Sequence, residues 1–74
     1  MPHVNIKLYP IEVTEEQQAS LVTALTKALQ DNLGCSVDAV SIALEAVEPA
    51  DWKEKVYNPE IIGRRDLLLK LPNY

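Results

Sequence analysis

Two short alternating stretches, residues 3–8 and 39–47, flank one long helical pattern, and that order constrains the fold of these 74 residues more than any other feature. In the first stretch His3, Asn5 and Lys7 alternate with Val4, Ile6 and Leu8, the period of a half-buried strand. Pro10 ends it. In "TEEQ", Thr14 stands as a helix N-cap with Gln17 three residues on, a capping box. Glu15 and Glu16 fall in the first turn, where the helix dipole favours negative charge. Leu21, Val22, Leu25, Ala28, Leu29 and Leu33 then recur at helical spacing, and Gly34 supplies the stop. The spacing predicts a helix over about 14–33. "AVSIALEAV" at 39–47 alternates again through Val40, Ile42 and Leu44. A crossover of this length joins parallel strands through a right-handed connection, so the expectation is a βαβ unit.

Beyond Pro49 the pattern is less regular. "PADWKEK" suits a short helix opened by proline, "YNPE" reads as a turn, and "DLLLKLPNY" reads as a final apolar turn or short strand closed by Pro72. The whole chain, 1–74, is expected to form one α/β domain. Two strands and one helix are rarely stable by themselves. Cys35 has no second cysteine to bridge, and with the single His3 it offers no metal-ligand spacing. Association is the remaining route for a small core, and a hydrophobic content of 47% can furnish an apolar interface as well as a core. The expected assembly is a homo-oligomer, as a dimer with a four-stranded sheet and two helices on one face. Residues 49–74 would then be free to reach the partner.

A formal charge of −4, without a basic stripe, argues against nucleic acid as a partner. The apolar runs are too short to span a membrane, and residues 1–20 lack the charged and apolar regions of a signal peptide. The expected location is the cytoplasm. No motif calls for a metal or cofactor.

Pro2 is the residue with unusual chemistry. As a strand starter it is unremarkable, since proline cannot donate to a ladder. With Met1 removed, as a small second residue permits, it becomes a secondary amine with a lone pair. Taken singly, His3 reads as a surface histidine, Cys35 as a packed thiol, Trp52 as an apolar anchor, and Arg64 and Arg65 as a solvated turn.

The combination of residues is more informative. A Met-Pro start, an alternating strand, a Thr-capped helix and "VSIALEAVEPADW", followed by "VYNPEIIG" and "KLPNY", resembles the 4-oxalocrotonate tautomerase family along essentially the whole chain. The block after the helix is the specific part, and it is similar to the small bacterial members that act on phenylpyruvate-type enols. The resemblance implies an isomerase for keto–enol tautomerisation of a 2-keto acid or related enol, with Pro2 as general base. It also implies a small-molecule enol or keto substrate and no cofactor. Trp52, Ser41 and Lys7 are the expected pocket residues.

The sequence departs from the family's dicarboxylate-processing members, which carry an arginine just after the first strand and another on the second. Here those places read "PIEVT" (10–14) and Ser41. A bidentate arginine clamp is absent, so the expected substrate is aromatic or otherwise apolar. Its carboxylate would have to meet Lys7, Lys53, Arg64, Arg65 or backbone amides. Two further readings compete: a Pro2-dependent hydratase, dehalogenase or decarboxylase of an unsaturated acid, and a non-catalytic dimeric binding module.

Overall fold

A computed structural model describes residues 1–74. β1 spans His3–Leu8, α1 Glu15–Leu33 and β2 Ser41–Ala46. The strands pair in parallel, His3 opposite Ser41 through Leu8 opposite Ala46, as the crossover length demands. The ladder is extended at both ends, by the Ser41 N–H donating to the Pro2 carbonyl at 3.2 Å and by the Val47 N–H donating to the Leu8 carbonyl at 2.8 Å.

α1 begins and ends where the local chemistry requires. The Thr14 hydroxyl accepts from the Gln17 N–H at 3.1 Å, and the Gln17 side chain accepts from the Thr14 N–H at 2.9 Å. Two orphan donors of the first turn are thereby satisfied, a device worth about 1 kcal/mol. Gly34 closes the helix at φ 68°, a left-handed conformation that costs a side-chain-bearing residue about 1–2 kcal/mol. Gln17, Gln18, Leu21 and Val22 of α1 lie beside Ile6, Leu8, Ile42 and Leu44 of the sheet. The apolar face of both strands therefore turns toward the helix.

The opposite sheet face is polar and internally paired. His3 Nδ1 lies 2.6 Å from Ser41 Oγ, and Asn5 Nδ2 donates to Glu45 at 3.2 Å. Lys7 forms an ion pair with Glu60, which comes from the C-terminal third of the chain.

In that third the helix expected to open at Pro49 forms and runs further than the sequence suggested. α2, Pro49–Trp52, starts with proline in the first turn, where its missing N–H costs nothing. It continues directly into a wider helix, α3, Lys53–Ile62. The "YNPE" stretch expected as a turn lies inside α3. Pro59 has no N–H, and in an α-helix its ring would press on the carbonyl four residues back. Hydrogen bonds spanning five residues relieve that conflict, and the last of them runs from the Gly63 N–H to the Asn58 carbonyl at 2.8 Å. A single 3₁₀ turn, Arg65–Leu67, follows, and residues 68–74 form no strand.

Only Val47 and Val56 are buried. The accessible surface is 5978 Å², against about 4,600 Å² expected for a folded monomer of this mass. The Cα radius of gyration is 13.9 Å, against about 11 Å for a compact domain of this length. Leu33, Val37, Leu44, Ile62, Leu67 and Leu69 are all exposed. The chain holds two strands' worth of sheet and one covering helix, and leaves much of its apolar surface open.

Candidate active site

Pro2 stands immediately before β1 at the N-terminal end of the parallel pair. Its carbonyl is tied to Ser41, and the next residue, His3, is held by the Ser41 hydroxyl. Ser41 therefore belongs to the Pro2 end of the sheet. Lys7 and Trp52 belong to the other end. They line one groove of about 770 Å³ together with Leu8, Tyr9, Lys53, Tyr57 and Tyr74.

The groove is built from three parts of the chain. β1 runs out through Lys7, Leu8 and Tyr9. The junction of α2 and α3 supplies Trp52 and Lys53, and Tyr57 comes from one wide helical turn further on. Tyr74 arrives from the C-terminal segment. Tyr9 and Trp52 meet edge to face, with ring centroids 5.1 Å apart and planes at 87°, the geometry favoured by the ring quadrupoles. Tyr57 and Tyr74 pack with centroids 6.0 Å apart. Four aromatic rings thus wall a space of small-ligand size.

The two ammonium groups of the groove differ. Lys7 is held by Glu60, and that hydrogen bond raises its pKa above the ordinary 10.5; burial opposes the shift, and the charges of Glu60 and Glu45 add to it. Lys7 is therefore a fixed, neutralised cation. Lys53 is exposed and takes part in none of the chain's ion pairs, which join Lys7 to Glu60, Lys27 to Asp31 and Lys55 to Asp51. Arg64 and Arg65 do not line the groove; Arg65 faces a smaller recess that shares Tyr57 and Tyr74.

Of the four residues singled out in sequence, the fold brings Lys7 and Trp52 together and sets Pro2 and Ser41 apart from them. Pro2 and Lys7 lie five positions apart on extended chain, roughly 16 Å. Sequence reasoning missed Tyr9, Tyr57, Tyr74 and Glu60. The one signal available was the five-residue step from Trp52 to Tyr57, which puts both rings on one side only of a helix wider than α. No cluster of three or more His, Cys, Asp or Glu side chains is arranged to hold a metal, and no helix is long and apolar enough to cross a membrane.

A βαβ unit with an aromatic groove is the frame of a small-molecule enzyme, and the family model described as "Tautomerase enzyme" matches residues 2–54. Such enzymes are isomerases. The chain belongs to the tautomerase family. It is 42% identical over 74 residues to "Tautomerase PptA" of Klebsiella pneumoniae, covering 100% of this chain and 97% of that one. Proteins of the same name from Cronobacter sakazakii and Escherichia coli O139:H28 are 35% and 34% identical, with the same coverage of both chains.

Proposed function

We propose that the chain catalyses keto–enol tautomerisation of an aromatic or otherwise apolar 2-keto acid or related enol, with Pro2, freed of Met1, as general base. The observation that carries this reading is that the family match begins at Pro2 itself, the one residue able to present a secondary amine. In the enol-to-keto direction the Pro2 nitrogen takes the hydroxyl proton as the carbonyl forms. The former double-bond carbon receives a proton from the pyrrolidinium, so no atom is gained or lost. A base works best when its pKa lies near the working pH. Alpha-amino groups titrate near about 8, and an apolar or cationic setting lowers that value by disfavouring the charged form.

Within one chain Pro2 and the groove lie at opposite ends of β1. A two-fold axis that joins two sheets through their β1 edges makes the two β1 strands antiparallel neighbours. It sets the Pro2 end of one chain beside the groove end of the other. The site we propose is therefore shared between two copies, Pro2 from one and the walls of Tyr9, Trp52 and Tyr57 from its partner. The four aromatic rings, and Ser41 in place of an arginine, support an aryl substrate over a dicarboxylate.

The test is a comparison of processed protein, Pro2→Ala and a form with Met1 retained, on a phenylpyruvate-type enol. Retained Met1 turns the nitrogen into an amide, and the rate should fall by about 10²–10⁴-fold. Pro2→Ala keeps a primary amine and should lose less. The processed enzyme's rate should rise with pH to a plateau as the amine deprotonates. Full activity with Met1 demonstrably attached would move the chemistry to another residue.

A further inference from the structure

We propose that Lys53 receives the substrate's carboxylate, and that the groove accordingly selects arylalkyl carboxylates over neutral aryl compounds of the same shape. The inference rests on the reading of the groove as the substrate's site and adds the group that orients the substrate in it.

It follows from where the seven basic side chains of the chain are placed. Lys27 is paired with Asp31 on α1, and Lys55 with Asp51 across the junction of α2 and α3, each four residues away. Neither lines the groove, and nor do Arg64 and Lys70. Arg65 opens onto the recess that shares Tyr57 and Tyr74 with the groove. Two cations remain at the groove wall, and Lys7 is already neutralised by Glu60. Lys53 alone combines a place on the wall with freedom from a carboxylate.

Its setting suits the role. Lys53 follows Trp52 directly and precedes Tyr57 by four residues, so ammonium and rings belong to one short length of helix. A ligand with its ring against Trp52 and Tyr57 has its acid end within reach of Lys53, and the lysine's aliphatic stem extends the apolar wall. An ammonium on a flexible stem meets a carboxylate as a point charge, without the geometric demand of a bidentate arginine. That tolerance suits a site from which the family's two arginines are missing.

Trp52 is the only tryptophan, so its fluorescence reports occupancy of the groove without any turnover. The probes are 3-phenylpropionate and its neutral amide, 3-phenylpropanamide, titrated into the processed full-length protein. The wild type should bind the acid roughly two- to fivefold more tightly than the amide at low salt, the modest range expected of an exposed charge pair. Added salt should shrink that preference by screening. Lys53→Gln should abolish the preference by weakening the acid more than the amide, Lys53→Arg should keep it, and Arg65→Gln should not alter it. With a phenylpyruvate-type enol, Lys53→Gln should raise KM by the same factor and leave kcat within about twofold. A wild type that does not distinguish acid from amide, or a Lys53→Gln variant that still does, overturns the assignment. Neither probe reacts, so failure of Pro2 as the base would leave the binding result standing, and the reverse also holds.

Discussion

Diluting the protein should unfold it. The accessible surface exceeds that of a typical monomer of this size by about 1,400 Å² per chain. If two copies cover that excess, the interface totals roughly 2,800 Å², within the range of obligate dimers. Folding and association then become one equilibrium, and each tenfold change in chain concentration shifts it by about 1.4 kcal/mol. For a folded unit of about 150 residues, that shift moves the melting midpoint by roughly 3–6 °C per decade. Calorimetry over two decades of concentration should therefore show a rise of about 6–12 °C. Sedimentation at the upper end should give twice the mass of one chain. A midpoint that stays constant over both decades, with the mass of a single chain, would refute the reasoning and with it the shared site.

The two glycines separate two kinds of strain, compared at one chain concentration. Gly34→Ala meets nothing within 4 Å but must hold φ 68°, so it should cost about 1–2 kcal/mol and leave Trp52 fluorescence unchanged. Gly63→Ala needs no unusual φ, yet its methyl would lie 2.7 Å from the Pro59 carbonyl oxygen and 3.0 Å from that of Asn58. It should cost about 1–3 kcal/mol and, by forcing α3 apart near the groove, alter Trp52 emission. Lys7 ties β1 to α3, and its folded pKa lies above 10.5. A raised pKa means that its stabilisation is complete below 10.5 and is lost as pH rises through the folded value. The melting difference between wild type and Lys7→Met should therefore hold across neutral pH and narrow above pH 10.5.

α1 was legible almost to the residue, because Thr14, Gln17 and Gly34 act on backbone groups within one turn of themselves. The strands were legible because Val4, Ile6, Leu8, Ile42 and Leu44 alternate against one helix. α3 was not. "YNPE" carries the usual marks of a turn, and only hydrogen bonds spanning five residues let Pro59 remain inside a helix. The groove was half legible: Trp52 and Lys7 stood out, but Tyr9 meets Trp52 from 43 residues away along the chain, and Tyr74 meets Tyr57 from 17. Glu60's hold on Lys7 joins residues 53 apart. No periodicity encodes contacts of that kind.

The pairing of β1 with β2 also sets a schedule for synthesis. His3 and Ser41 are 38 positions apart, so β1 leaves the ribosome well before its partner strand exists. At ordinary translation rates about forty residues take roughly 2–8 s. α1 can form in that interval, since its capping box and helical bonds are local and need nothing downstream. Once formed, it is a rod of about 28 Å, and it replaces more than half of the loose loop that closing the sheet would otherwise have to order. Until then β1 is a bare edge, and the alternating His3, Asn5 and Lys7 keep one of its two faces wettable while it waits.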